Sequence, residues 1–417
     1  MPAINSGDTA FMMLCCAMVF LMTPGLALFY GGMVRRKNVL NTLMSSFFVC
    51  GLASLLWIFV GYSLSFGASA GGSGIIGDFS FLGLANIGDT TAYAPTIPSL
   101  AFVAFQMMFA IITPALITGA LAERMRFSAL VVFLAVWSVV VYYPLTHMLW
   151  GADGFLHNLG AVDFAGGLVV HVSSGVSGLV ACIMLGKRKG HGVVSYKPHN
   201  LPLIFIGAGL LWFGWFGFNG GSALTSGSLA FNAFMATNTS AAAAMLSWML
   251  LEKIRSGKPS MLGAVTGAVV GLATITQSSG FVSIWSAAII GAVASPVCFI
   301  TMSYVKKKFG FDDALDAFGC HGAGGIWGCI ATGLFAQSAI NPAAQWNGLF
   351  FGSAELFWRQ LVALGITIAL AAAGTFVILS ILRKFMQVRV SEREESDGLD
   401  HAEHGESAYP AFTGLDQ

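Results

Sequence analysis

Residues 99–121 read SLAFVAFQMMFAIITPALITGAL, and the five that follow read AERMR. The first block carries no charge and is long enough to cross the hydrocarbon of a bilayer, which takes about 20 apolar residues. The second brings two arginines, Arg124 and Arg126, as a chain re-entering water would. Lipid offers backbone amides no hydrogen-bond partner, so such a run must be a helix. Working outward, apolar runs between breakers predict spans near 10–31, 39–66, 98–121, 127–147, 164–186, 200–219, 229–251, 261–276, 281–304, 318–336 and 355–385. The expected fold class is therefore all-α, a polytopic membrane protein of eleven transmembrane helices. Composition agrees: the 417 residues are 56% hydrophobic and only 9% charged, against about 25% charged in soluble domains. Short alternating segments, the mark of a β-barrel, are missing from the sequence.

The charges test the count independently, because Lys and Arg collect in alternate loops when the spans are right. Arg35, Arg36 and Lys37 follow span 1, Arg124 and Arg126 span 3, and Lys187, Arg188, Lys189 and Lys197 span 5. Lys253, Arg255 and Lys258 follow span 7, Lys306 to Lys308 span 9, and Arg383, Lys384, Arg389 and Arg393 span 11. Only Arg359 falls on the other side. The expected topology puts the amino terminus outside and the carboxyl terminus in the cytoplasm of a cell inner (plasma) membrane. An odd number of spans inverts a repeated half, so spans 1–5 and 6–10 form an expected inverted repeat with a long span 11 left over. Residues 1–389 make the membrane domain and 390–417 a cytoplasmic tail.

Several function classes drop out. Net charge is +1 and no basic stripe tracks phosphates, so nucleic acid is excluded as a partner. The seven cysteines lie inside apolar runs and read as packing residues, so no metal or disulfide frame is expected. Met1 to Ala10 carry no Lys or Arg, unlike the start of a signal peptide. No cofactor is expected, and with no buried nucleophile and base in evidence the chain is not expected to be an enzyme.

An ionisable side chain within a membrane span is costly and usually faces a cavity or a polar partner. His171 in span 5 and His321 in span 10 hold matching places in the two halves. One reading is a pair of satisfied core histidines; the other is a pore lining in which one imidazole donates and its neighbour accepts. Asp163, just ahead of span 5, is placed to cap that helix, and a carboxylate there also favours a cation nearby. His147 and His157 read as solvated or interfacial. Residues 211–222, LWFGWFGFNGGS, put Trp215, Phe218 and Ser222 on one helical face. That face reads either as core packing or as an aromatic seat for a small cation with one hydroxyl to bond it.

With these segments the chain resembles the ammonium transporter (Amt/Mep/Rh) family, of the bacterial and archaeal Amt type. The likeness rests on Pro24-Gly25 through Gly32, Phe105-Gln106 with Phe109, Ala120 to Arg124, His147 to Gly151, Gly160 to His171, Gly214 to Ser222 and Asp316 to Gly325. The resemblance implies an eleven-helix protomer of a homotrimer, each with its own pore. It implies that Phe109, Trp150 and Ser222 recruit ammonium with Asp163 in support. Phe109 and Phe218 would close the outer end, and His171 and His321 would be the paired pore histidines; Trp215 is expected to line the pore beside them. It further implies that the tail meets a PII-type nitrogen regulator. One departure from the family pattern, Thr274 to Gly280 (TITQSSG), lacks the usual proline and leaves the outer loop between spans 8 and 9 uncertain.

The expected function is ammonium transport: capture as a cation, loss of a proton at the mouth, and passage as ammonia. Potassium has no proton to shed, so it pays the full cost of a bare ion in low dielectric. The alternative from another class is an ammonium receptor that reports occupancy to a partner or a fused output domain.

Overall fold

The computed structural model describes residues 4–409. Its main body consists of α1 (Ser6–Met33), α2 (Arg36–Phe66), α3 (Ser99–Leu121), α4 (127–150), α5 (Gly167–Leu185) and α6 (Leu201–Gly221), followed by α7 (Ser228–Ser256), α8 (Met261–Ile275), α9 (Ile284–Phe309), α10 (318–335) and α11 (Glu355–Phe385). These are the eleven spans in the expected order. Several run past their apolar stretches: α1 begins before Asp8, and α7 and α9 continue through Lys253 and Lys306. A helix does not stop where the lipid does, because its amides remain satisfied in water. A short antiparallel pair, β1 (Thr90–Thr91) and β2 (Ala94–Pro98), lies in the loop before α3.

Large apolar side chains such as Phe59, Phe205, Phe231, Leu246 and Trp285 point outward, exposed. Small residues fill the helix contacts instead. With apolar neighbours on either side of every helix, close backbone approach takes the place of hydrophobic exclusion as the packing force. Gly25 and Gly32 of α1 lie against α6, and Gly271 and Gly291 let α8 and α9 approach α7 at Ser240.

The two halves share several irregularities, although the π turn of α2 at Trp57–Gly61 has no counterpart in α7. α4 and α9 each contain a π turn, Ser138–Tyr142 and Thr301–Val305, and α5 and α10 each begin with one, Gly167–Val172 and Phe318–Gly322. α5 and α10 start from opposite faces and cross at glycine: a Cβ on Gly325 would lie 2.9 Å from Val172 Cγ2 and 3.1 Å from the Gly167 carbonyl. Gly175 in turn lies against the Gly322 backbone. A Gly175→Ala substitution has no room to relax there and is expected to destabilise the fold by about 1–3 kcal/mol. A lower unfolding temperature of the solubilised protein is the check.

One face carries the basic loops, and a buried ionic junction ties them together. Glu123, held at φ +69°, accepts from the Arg35 backbone, from Asn38 Nδ2 at 2.9 Å and from Arg188 at 2.9 Å. Arg188 also forks onto Asp312, at 2.9 and 2.8 Å. Burial alone would raise the Asp312 carboxyl, but Arg188 and Arg124 together hold it well below the usual carboxylate range. The loops after α1, α3, α5 and α9 are thus joined across the two halves.

The tail is docked on this face as α12 (Glu392–Asp397) and α13 (Leu399–His404). Its acidic residues find partners there. Arg126 bonds both carboxylate oxygens of Glu394 at 2.8 Å and also Glu403 at 3.1 Å. The Leu399 N–H donates to Asn38, and Asp400 accepts from the Asn41 N–H. The Ser391 N–H, then Arg126, lower the Glu394 carboxyl to about 2. Its contribution to docking is therefore complete above the ordinary glutamate pKa, near ~4.3, and fades as pH falls toward that lower value. Arg126→Ala leaves both acids without a cation, and opening of residues 390–409 is expected to increase about fivefold or more, from about 1 kcal/mol or more lost. Limited proteolysis of the tail would measure it. The segment 410–417 of the expected tail lies outside the described residues.

Candidate functional site

The candidate site is assembled on the helix starts. Asp163 precedes α5 and accepts four backbone N–H bonds: Gly166 and Gly167 on Oδ1 at 2.9 and 2.7 Å, Leu168 and Val169 on Oδ2 at 2.8 and 3.0 Å. These are the donors that a helix start leaves unpaired. Gly166, at φ +106°, supplies the left-handed turn that brings the chain back over the carboxylate. The Asp163 carbonyl accepts from Trp150 Nε1 at 2.8 Å. Capping and ring placement are thus one structure, and the two readings of Asp163 are compatible.

The stretch before Asp163 is held by two amides. Gln360 accepts the Val162 N–H at 2.9 Å and, with Gln277, donates to the Val162 carbonyl. Gln277 belongs to the segment that departs from the family pattern. The segment is ordered and buried, and the Gln277 carbonyl accepts from the Phe164 N–H. The Gln277 amide ties this segment to the Val162 carbonyl at 3.0 Å.

Phe109, Trp150 and Ser222 meet above this cap at the floor of a vestibule of about 370 Å³, on the face opposite the basic loops. Phe109 stands perpendicular to Trp150 at 5.8 Å and lies against Phe218 at 4.3 Å between ring centroids. Ser222 caps α6 and donates to the Phe218 carbonyl at 2.8 Å, which leaves its oxygen lone pairs for another donor. Below the two phenylalanines the free space shrinks to about 10 Å³, room for about one water-sized molecule.

His171, His321 and Trp215 line that narrow part with Phe218, Tyr30 and Leu211. The imidazoles stack at 5.2 Å and 15°, and His171 also stacks on Trp215 at 5.5 Å. Trp215 is fixed by Nε1 donating to Thr276 at 2.8 Å. Both His171 nitrogens and His321 Nδ1 are buried without a hydrogen-bond partner among the described residues. Among the described residues no direct hydrogen bond joins the two imidazoles, although their rings are near-parallel with centroids 5.2 Å apart.

Of two further histidines, His147 differs from expectation, while His157 is exposed as expected. His147 is fully buried, with Nδ1 3.1 Å from the Ser65 carbonyl, because a partner distant in sequence removes it from solvent. His157 lies on a short helix, Phe155–Leu159, and lines the vestibule.

The sequence reading missed Asp313. It is buried ahead of α10 and accepts from the Ala317 and Phe318 N–H groups at 3.0 and 2.8 Å. It stands to His321 as Asp163 stands to His171. Both halves read Asp, seven residues, His, three residues, Gly, two residues, Gly: Asp163, His171, Gly175 and Gly178 against Asp313, His321, Gly325 and Gly328. That spacing was the available signal.

Residues 10–409 match the Ammonium Transporter Family. The chain belongs to that family. It is 53% identical over 407 residues to an ammonium transporter of Bacillus subtilis, covering 97% of this chain and 99% of the relative. Among solved structures it resembles Saccharomyces cerevisiae Mep2, with a TM-score of 0.86 and 33% identity over 93% of this chain and 91% of the other. It also resembles a sensor Amt protein, with a TM-score of 0.86 and 29% identity over 95% and 98%. Family members are multi-pass membrane transporters and not enzymes, and this chain is one of them.

Proposed function

We propose that this ammonium transporter captures ammonium at Phe109, Trp150 and Ser222, with the Asp163 carboxylate favouring the cation from beneath. The ion loses a proton there, and ammonia passes Phe109 and Phe218 into the space lined by His171, His321 and Trp215. The observation that carries this reading is the contrast between an aromatic, acid-supported mouth and a constriction of about 10 Å³ immediately below it. A bare cation gains from ring faces at the mouth and loses its remaining hydration in the constriction, where the Coulomb cost of charge is highest. A neutral molecule crosses more cheaply. Unpaired imidazole nitrogens offer it hydrogen bonds, and they offer a separated proton a place to reside. The basic face is assigned to the cytoplasm of the plasma membrane, by the bias of Lys and Arg.

In this reading the protomers associate as a homotrimer, and the docked tail is where a PII-type regulator would act. A receptor built on the same fold draws less support, since the curated relatives matched along their whole length are named ammonium transporters.

Reconstituted protein given an ammonium gradient, with flux and current recorded together, tests the proposal. Ammonium uptake in a background of potassium is expected, with no potassium current. A potassium current comparable to the ammonium signal would overturn it.

A further inference from the structure

The vestibule is far larger than ammonium requires. Its 370 Å³ or so falls in the range that holds organic ligands, about 300–1,000 Å³. Its walls are aromatic well beyond the ammonium site. Tyr93 and Phe102 stack at 5.3 Å and 4°, and Phe164 stands edge-on to Phe281 at 5.6 Å on the other side. Trp150 and Phe109 form the floor. The polar groups are biased to attract positive charge: Asp163 contributes a carboxylate, and Gln106 contributes a side-chain oxygen. Gln106 is 9% exposed, and its Oε1 has no hydrogen-bond partner among the described residues. Among the described residues no Lys or Arg lines the cavity.

We infer that the vestibule is a binding site for a quaternary ammonium cation, which occupies it without being transported. A cation of this class has no N–H groups to satisfy, spreads its charge over methyl groups, and is recognised by several ring faces at once. It has no proton to give up, and the contact between Phe109 and Phe218 bars it from the pore. Once seated it stands over the ammonium site and excludes ammonium. The inference rests on the reading above only in taking the aromatic mouth to attract cations.

Tetramethylammonium is the probe, with sodium chloride at equal ionic strength as control. In proteoliposomes it is expected to raise the apparent KM for ammonium by about tenfold or more, equivalent to about 1.4 kcal/mol, without changing the maximal rate. Tyr93→Ala is expected to weaken the block by a larger factor than it changes the KM for ammonium, and Tyr93→Phe to restore the block. An unchanged KM, accumulation of labelled tetramethylammonium inside the vesicles, or a block insensitive to Tyr93→Ala would overturn the inference. Thermal stabilisation of the solubilised protein by tetramethylammonium reads the site without transport. Stabilisation without ammonium flux would sink the transport mechanism and leave this site standing, whereas normal flux with no stabilisation and no block would do the reverse.

Discussion

Asp163→Ala is expected to lower ammonium flux by about two orders of magnitude. The substitution frees four N–H groups at the start of α5 and removes the only carboxylate that lines the vestibule among the described residues. A hydrogen bond to a charged group is worth about 1.5–3 kcal/mol. Water reaching the vestibule replaces part of this, so a net loss of about 3 kcal/mol at the mouth is expected, or about a hundredfold in rate. Trp150 is affected too, because its indole N–H bonds the Asp163 carbonyl. Asp163→Asn separates capping from charge: its amide oxygen accepts two bonds while its NH₂ faces donors, so flux should fall between wild type and Asp163→Ala. The measurement is uptake by reconstituted protein, alongside an unfolding curve to establish that the variant is folded. A folded Asp163→Ala protein with flux within about twofold of wild type would sink the proposed role, since so small a change is only about 0.4 kcal/mol.

The second large effect is on selectivity. In a His171→Ala, His321→Ala double variant the constriction loses both stacked rings. Space that admits about one water-sized molecule opens into a wider void next to Trp215 and Tyr30. A wider polar-mouthed passage wets, and hydrated cations follow the water. Discrimination between ammonium and potassium is expected to fall about tenfold or more, about 1.4 kcal/mol of relative barrier, and a potassium current should appear. The outcome that sinks the idea is a double variant with wild-type flux and wild-type selectivity.

Much of this molecule could be read from its sequence, for physical reasons particular to membranes. Charge costs so much in lipid that Arg35, Arg124, Lys187, Lys253 and Lys306 mark every second loop, and the helix count follows. The same cost singled out His171 and His321 inside apolar runs, and the structure stacks them. What escaped reading depends on partners distant in the chain. Asp313 sits beside Asp312 and Asp316 in a loop that looks like solvated acid, and only the four residues to its own helix start reveal it as a cap. His147 looked interfacial until Ser65 was found beside it. The docking of the tail is not legible in its own composition because Arg126 and Asn38, its anchors, lie more than 250 positions away. Local composition reports what a segment dislikes about lipid or water, and it is silent about which remote side chain removes the objection.

The matched carboxylates have a consequence for direction. α5 points its amino-terminal end at one mouth and α10 points its own at the other, and each positive end is quenched by an aspartate, Asp163 or Asp313. The two helix dipoles oppose one another across the histidine pair, so neither end of the passage is held at a markedly different potential by its own backbone. In the mechanism proposed above, the helix backbones therefore set no direction. Reversing the gradient should drive ammonia back through the same histidines at a comparable rate, and net uptake would depend on how quickly the cell consumes what arrives.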